Sequence, residues 1–201
     1  NYILDVYNGN NDLQQDFRNV YSPRGVAVQL GAVLGPRFVL DLGFTNRSQV
    51  RRAEGQPNAN EEFFVREIRY RNNTFDIGAA GKLNQSEDFL CSLGASLDFG
   101  SVRVFQRSGQ NTTYRNQPLN AGVVNEVTKG SKAFFHLSIP VSPDLPLHIF
   151  LRPYFQLDWY QNEYAPLNRS LNQPLTLDAP NSIRAASHNY GLKIGLMFYG
   201  G

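Results

Sequence analysis

Apolar and polar residues alternate without a break over residues 147–160, the most regular pattern in the chain. One set of alternate positions holds Leu147, Ile149, Leu151, Pro153, Phe155, Leu157 and Trp159. The other set holds His148, Phe150, Arg152, Tyr154, Gln156, Asp158 and Tyr160. Successive side chains of a β-strand point to opposite faces, so the pattern predicts a strand with one apolar face. At about 3.4 Å per residue it exceeds roughly 40 Å, which suits a strand that crosses a bilayer at a tilt.

The same alternation recurs along the chain and predicts eight strands. Their approximate bounds are 2–8, 25–34, 37–49, 63–83, 89–107, 131–141, 146–161 and 187–199. The connections alternate between long polar loops and short turns such as Gly35-Pro36. An even number of strands joined in this way is typical of outer-membrane barrels.

The first long loop interrupts the alternation with apolar residues at helical spacing. These residues are Leu13, Phe17, Val20 and Tyr21. They follow Asp12, a residue type that caps helix N-termini, so the spacing predicts a short amphipathic helix over residues 12–21. Its apolar stripe must be covered, either by the barrel's own rim or by a partner protein. We take the four residues as the candidate partner-binding site.

The chemistry of the two strand faces decides the class of barrel. One face is continuously apolar and is predicted to face lipid through Phe38, Leu40, Leu42, Phe44, Leu93, Leu97, Phe99, Leu137, Ile139, Leu151, Phe155, Trp159, Leu192, Ile194 and Phe198. The other face holds small residues and isolated charges, whereas a soluble sandwich or lipocalin turns its apolar face inward and coats its outside with charge. We therefore predict an all-β fold. Residues 1–201 form one eight-stranded antiparallel transmembrane up-and-down β-barrel, with short periplasmic turns and long extracellular loops.

Composition narrows the function classes. Charge is balanced at +2, which argues against a nucleic-acid partner. The chain contains no run of 18 apolar residues, so the sequence predicts no transmembrane helix. The single cysteine, Cys91, excludes an internal disulfide framework, and the three histidines lack metal-ligand spacing. We predict no cofactor and no metal site.

The final strand carries the most specific resemblance to a known group. Its sequence, HNYGLKIGLMFYGG over residues 188–201, has alternating aromatics and resembles the carboxy-terminal signal of outer-membrane barrels. The chain is similar to the small eight-stranded barrels of the OmpA/OmpX-like class, and especially to the "porin family" barrels of Bacteroidota, including PorT-like proteins. It departs from many of them by ending in Gly200-Gly201. The resemblance implies an integral protein of the bacterial outer membrane, in contact with its lipid and lipopolysaccharide.

Charged residues on the non-apolar face predict an ionic plug inside the barrel. The candidate network comprises Asp5, Arg37, Asp41, Asp76, Lys82, Asp98, His136, Arg152, Asp158 and Lys193. An eight-stranded barrel has room inside for side chains and little else, and a lone buried charge is costly unless it is paired. We therefore expect a structural network. An ion or proton path, and hence a small pore, is the alternative.

His136 and Ser138 form the one motif that suggests catalysis. The pair resembles the His-x-Ser of outer-membrane lipid A deacylases, in which the His would act as general base and the Ser as nucleophile. The Asn that usually follows that Ser is Ile139 here, and the alternation turns both side chains toward the interior. We therefore predict that the protein is not an enzyme, with a lipid A-modifying enzyme as the alternative.

The predicted function is that of a structural or accessory subunit, or an anchor, of an envelope protein complex. Loops of this length exceed what a barrel needs for closure, so they are either disordered or functional, and as functional loops they are expected to contact other envelope proteins.

Overall fold

The computed structural model describes residues 2–10, 13–18, 23–55, 63–84, 89–110, 113–172, 182–186 and 188–200. Helix α1 (Tyr2–Asn10) and the short strand β1 (Leu13–Gln15) come first. The long strands are β2 (Arg24–Leu34), β3 (Phe38–Gly55), β4 (Phe64–Lys82), β5 (Leu90–Gln110), β6 (Asn120–Pro140), β7 (Leu147–Asp158) and β10 (Asn189–Gly200). The smaller elements are a 3-10 helix (Tyr114–Asn116), β8 (Asn162–Glu163), helix α2 (Ala165–Asn172) and β9 (Arg184–Ala185).

The seven long strands form a closed barrel. Each long strand pairs antiparallel with the next along the chain, and β10 closes the sheet onto β2. This closing pair is parallel, from Met197 opposite Gln29 to Gly200 opposite Ala32. An odd number of up-and-down strands leaves the first and last running in the same direction. The predicted all-β barrel is confirmed, but the described residues supply seven barrel strands rather than the expected eight.

The missing strand is the one predicted over residues 2–8, and that prediction was wrong. Those residues lie in helix α1, where Ile3, Leu4 and Tyr7 are buried together. Their spacing places all three on one helical face, whereas a strand would send Ile3 and Leu4 to opposite sides. Burying these three side chains on one helical face is therefore more favourable than a strand that follows the weak alternation of positions 2, 4 and 6.

The barrel has one compact end and one extended end. The compact end, called here the short-turn end, carries the turns at residues 35–37 and 141–146 together with the end of β4 and the start of β5, and Gly35 there adopts a positive φ of 64°. At the other end β3 continues to Gly55 and β6 back to Asn120, well past the predicted limits, and β5 continues to Gln110, close to its predicted end. The predicted loop over residues 108–130 is therefore mostly paired sheet. Polar residues on both faces concealed these extensions in the sequence.

The outer wall of the barrel is apolar around its short-turn half. We call this surface the apolar belt. It includes Val28, Leu30, Phe38, Leu40, Leu42, Phe44, Phe75, Ile77, Leu93, Leu97, Phe99, Phe135, Ile139, Ile149, Leu151, Phe155, Leu157, Trp159, Leu192, Ile194, Leu196 and Phe198, all of them exposed. Every residue predicted to face lipid is exposed except Leu137, which is half-buried. None of the helices in the described part of the chain is long and apolar enough to cross a membrane.

Candidate functional site

A layer of buried charges fills the interior near the short-turn end. We call it the charged layer: Asp41, Asp76, Asp98, Lys132, His136, Arg152 and Lys193, all buried. The Lys132 ammonium lies 2.9 Å from Asp98 Oδ1 and 3.3 Å from Asp76 Oδ1. The Lys193 ammonium approaches the same Asp76 oxygen at 3.2 Å. The two carboxylates and two ammonium groups thus balance one another, as burial requires.

Arg152 organises the rest of the charged layer. Its Nη2 lies 3.0 Å from Asp41 Oδ2, and its Nε donates to His136 Nδ1 at 3.1 Å. The guanidinium also lies 4.2 Å from the centre of the Phe134 ring, which favours a cation through its π-face. Since Arg152 and Lys193 are register partners on β7 and β10, the two halves of the charged layer are contiguous.

Two glycines in the wall make space for these carboxylates. Gly78 pairs with Asp41 across β3 and β4, and Gly43 pairs with Asp76. A Cβ at Gly78 would lie 2.7 Å from Asp41 Oδ1, and one at Gly43 would overlap the Asp76 carboxylate. In each pair, the aspartate side chain therefore occupies the interior space that a side chain at the glycine position would need.

Some residues expected in the network lie elsewhere. Asp5 is exposed on α1, because residues 2–10 are helical, and Arg37 is exposed in the turn at residues 35–37. Lys82 is only half-buried at the end of β4, where its ammonium lies 3.5 Å from the Gly35 carbonyl oxygen. Asp158 is buried at the other end of β7 and accepts from Gln156 Nε2 at 3.0 Å.

Sequence reasoning missed Lys132 and Arg47. Lys132 alternates with Phe134 and His136 on one face, so the same parity argument would have placed it inside. Arg47 lies beyond the charged layer on β3, half-buried, where Nη1 donates to Tyr154 Oη at 2.7 Å and to Asn189 Oδ1 at 3.2 Å. No sequence signal predicted that these residues from three strands would meet.

The interior of the barrel also holds His136 and Ser138, the residues of the motif that suggested catalysis. Both are buried inside the barrel, and His136 accepts from Arg152 through Nδ1. Ser138 Oγ lies 3.4 Å from Nδ1 of a different histidine, His148. The nucleophile and base of a deacylase must reach an acyl chain, and these side chains point away from the apolar belt.

A cavity of about 930 Å³ lies beyond the charged layer. Ile3, Leu4, Ile68, Val104 and Leu167 supply apolar lining, and Thr45, Arg47 and Asn72 supply polar lining. Thr45 Oγ1 and Asn72 Oδ1 are buried without a hydrogen-bond partner among the described residues. The volume lies within the range of about 300–1,000 Å³ typical of small-ligand sites.

The cavity reaches the barrel wall where β2 and β10 diverge. Gly25 and Ala27 line it on the β2 side, and Gly191, Leu192 and Ile194 line it on the β10 side. The two strands pair only from Gln29 and Met197 onward, so their preceding residues border the cavity without a shared ladder.

Helices α1 and α2 close the extended end over an apolar cluster. We call it the cap cluster: Ile3, Leu4, Tyr7, Phe17, Ala53, Ile68, Val104, Val124, Leu167 and Leu171, all buried. The Tyr7 and Phe17 rings lie 5.3 Å apart, and Asn8 exchanges two 2.9 Å hydrogen bonds with the Phe17 backbone. Burial here raises the pKa of Tyr7, with the Arg66 charge opposing it.

The cap cluster corrects the predicted partner-binding stripe. Residues 13–15 are strand β1 and residues 16–18 are not helical, so the helix predicted over 12–21 is wrong where it is described. Leu13 packs against the cap cluster and Phe17 is inside it. Phe17 is therefore unavailable to a partner. Val20 and Tyr21 lie outside the described residues.

Glu163 fixes the connection that carries α2. Its Oε1 accepts from the backbone N–H groups of Ala165 at 2.9 Å and Ile183 at 2.7 Å, and its Oε2 accepts from Ser182 Oγ at 2.6 Å. These bonds, with Ser182 the largest contributor, hold the pKa of Glu163 at about 2. The ionised carboxylate therefore ties the start of α2 to the strand that returns the chain to the barrel.

Comparison with protein-family models, curated proteins and solved structures finds no match for this chain.

Proposed function

We propose that the protein is an integral barrel of the bacterial outer membrane, as the resemblance to OmpA/OmpX-like and PorT-like barrels suggests. The observation that carries the proposal is the apolar belt, in which Ile194 is 68% exposed and Phe155 is 49% exposed. A continuous apolar surface of this kind is unfavourable in water and favourable against lipid tails. Along β5 and the residue before it, exposed apolar side chains run from Phe89 through Leu93 and Leu97 to Phe99, roughly the 9–11 residues that a tilted strand needs to cross a bilayer.

The interior supports a barrel that does not conduct. The charged layer and its neighbours occupy the narrow half of the barrel, and each ammonium in it is held by a carboxylate. Moving an ion through would require breaking buried pairs, which is costly when one partner is left alone. In a planar bilayer the purified protein should show no steady conductance, and stable channels would refute the plug.

The function that fits these features is that of a non-enzymatic accessory subunit or anchor of an envelope complex. In the proposed orientation the short turns are periplasmic, and the protruding β3–β6 sheet stands outside the cell. A rigid protruding sheet presents side chains at fixed positions, which suits recognition by other envelope proteins or by surface polymers. The engagement of His136 by Arg152 argues against the deacylase alternative.

Membrane fractionation with gel mobility tests this function. The protein should be found in the outer membrane and should migrate faster unheated than boiled. Complexes extracted in mild detergent should lose their other proteins when residues 113–119, at the tip of the β5–β6 hairpin, are replaced by a Gly-Ser linker. An unchanged complex would count against recognition through that tip, and recovery in the soluble fraction would overturn the membrane assignment.

The cavity favours a second candidate function, binding of an amphipathic carboxylate. Arg47 donates to three neutral acceptors, Tyr154, Gln156 and Asn189, and none of the ion pairs between described residues includes it. Its Nε is buried without a hydrogen-bond partner in the described chain, next to the apolar cavity lining. Hexadecanoate should therefore bind the folded protein, and R47Q should weaken that binding. Equal binding by both proteins would exclude this function.

A further inference from the structure

Outward-facing arginines gather on the protruding sheet beyond the apolar belt. We call this group the arginine surface: Arg52 on β3, Arg69 and Arg71 on β4, and Arg103 and Arg107 on β5. Arg71 lies directly opposite Arg103 in the β4–β5 ladder. The neighbouring Asn72 and Val102 are buried on the interior side, so alternation turns the two arginines outward.

The arginine surface begins just beyond a row of aromatic side chains. Phe44, Phe75 and Phe99 are register partners on three adjacent strands, and all three are exposed. Such a row is typical of the edge of a barrel's lipid-facing band. Arg71 and Arg103 lie four residues further along their strands, roughly 13 Å at about 3.4 Å per residue. On strands tilted by about 45° this is roughly 9 Å above the aromatic row, at the level of lipid headgroups.

Carboxylates satisfy only part of this positive charge. Glu67, whose side chain is fully buried, lies 2.9 Å from Arg52, 3.0 Å from Arg107 and 3.5 Å from Arg69. Three guanidinium groups thus share a single acid. The Nε atoms of Arg69 and Arg107 remain buried without a hydrogen-bond partner within the described residues.

Arg71 and Arg103 have no acidic partner in the described chain. The Arg71 guanidinium lies 5.6 Å from the centre of the Phe105 ring, and none of the ion pairs between described residues includes either arginine. Like charges directly opposite each other on neighbouring strands are destabilising. An anion placed between them would remove that cost, and arginine forks match the oxygens of a phosphate group.

Tyr114 holds the remote side of the arginine surface in place. Its ring centre lies 5.6 Å from the Arg52 guanidinium, 5.3 Å from that of Arg107 and 5.8 Å from that of Arg115. These stacked side chains are fixed in position before any ligand arrives, which reduces the ordering cost of binding. Arg71 and Arg103, nearer to the aromatic row, are left to contact the ligand.

We propose that the arginine surface binds the phosphate groups of an outer-leaflet lipid of the lipid A class, the headgroup of lipopolysaccharide. The lipid's acyl chains lie along the apolar belt below Phe75 and Phe99, and its phosphates lie between Arg71 and Arg103. Asn73 and Ser101, between the two levels, face outward and can hydrogen-bond the sugar hydroxyls. The inference rests on the proposed membrane orientation and adds a specific lipid site to it.

Affinity for two forms of lipid A tests the site. The folded protein in detergent micelles is titrated with bisphosphorylated lipid A and with dephosphorylated lipid A, for wild type, R71Q/R103Q and R18Q/R169Q. The last variant is the matched control, because Arg18 and Arg169 are exposed and lie outside the arginine surface. Wild type and control should prefer the phosphorylated form, and R71Q/R103Q should bind it about tenfold more weakly. The preference should also decrease at high salt.

Three results would overturn the inference, and none of them depends on the membrane assignment. Equal affinity of R71Q/R103Q and wild type would exclude the two arginines, and equal affinity for both lipid forms would exclude phosphate recognition. Inorganic phosphate that binds as tightly as the lipid would exclude a lipid site. Heat-modifiability and vesicle insertion are measured on the same samples. A protein that inserts but lacks the phosphate preference refutes only the lipid site, whereas one that fails to insert refutes the barrel's proposed location.

Discussion

The two ends of the barrel interior are filled by opposite chemistry. Near the short turns the wall closes on all sides, and its own side chains meet across the interior as the charged layer. Toward the extended end β3–β6 outrun β2, β7 and β10, so the sheet becomes a concave wall that its own side chains cannot fill. Helices α1 and α2 and the segment around Phe17 fill that space as the cap cluster. The interior is therefore ionic where all seven strands surround it and apolar where only β3–β6 extend. Substitutions at the two ends should have different effects on stability.

The largest effect is expected from breaking the charged layer. Arg152→Leu leaves the buried Asp41 without its guanidinium partner and should lower the free energy of unfolding by about 3–5 kcal/mol. Urea unfolding in lipid vesicles measures the loss. Arg37→Leu removes the same charge from an exposed turn and should change stability by no more than about 0.5 kcal/mol. Equal stability of the two variants would mean that the charged layer contributes little.

A change in the cap cluster should act locally. Phe17→Ala removes a buried ring that packs on Tyr7, at a typical cost of about 3–5 kcal/mol to the cap. Limited proteolysis should show faster cleavage near residues 2–18, while the barrel keeps its heat-modifiable mobility. Leu13→Ala, at the half-buried margin of the same cluster, should accelerate cleavage less. If Phe17→Ala instead unfolded the barrel, the two ends would be one cooperative unit.

Leu151 and Arg152 are adjacent residues of β7 and lie on opposite faces of the barrel wall. Leu151 is 39% exposed on the apolar belt, whereas its neighbour Arg152 is buried inside. Leu151→Arg should impair insertion into vesicles by about 2–4 kcal/mol, because a charge on the lipid face is costly near mid-depth. In detergent, where that face is solvated differently, it should fold better than Arg152→Leu. Normal insertion of Leu151→Arg would reverse the assigned faces.

The smallest effect concerns acid and the connection at α2. The pKa of Glu163 in the folded protein is about 2, below its ordinary value near 4.5. A carboxylate whose pKa is lowered by folding stabilises the folded protein at pH values above its unfolded pKa. That stabilisation is lost as the pH falls from about 4.5 through about 2. Cleavage by pepsin around residues 163–184 should therefore increase over this range in wild type. Glu163→Gln, which has no such titration, should show only the increase that follows from pepsin's own pH dependence, and an increase as large as that of wild type would exclude Glu163 as the cause.

The alternation of residue types predicted most of the wall, because lipid-facing and interior positions differ in composition along every strand. The structure places Asp41, Asp76, Asp98 and Lys193 inside, on the parity that alternation indicates. Alternation failed in the protruding parts of β3 and β6, where both faces are polar. It also failed where one helical face competes with a short alternation, as at Ile3 and Leu4.

The side-chain contacts inside the barrel were less predictable from the sequence than the strands of its wall. Arg47, Tyr154 and Gln156 meet only because three strand registers bring them to one level, and a single sequence does not specify registers between distant strands. The cavity depends in addition on how α1 and α2 seat over the extended end. Two glycines gave a usable signal: Gly43 and Gly78 alternate with acidic or small residues on the interior face, where a carboxylate from the neighbouring strand needs room.

The parallel closure gives the wall a preferred line of opening. The β2–β10 ladder joins four residue pairs, whereas β2 pairs with β3 along its whole length and β10 with β7 along most of its length. Separating two strands within the membrane frees backbone amides, which must then find other hydrogen-bond partners. Because the β2–β10 ladder is short, its separation frees few amides and costs the least free energy. Deuterium should therefore enter first at the facing edges of β2 and β10. From there the barrel would unroll as a single sheet with β5 at its centre, so separation of this short ladder would be the first step of unfolding.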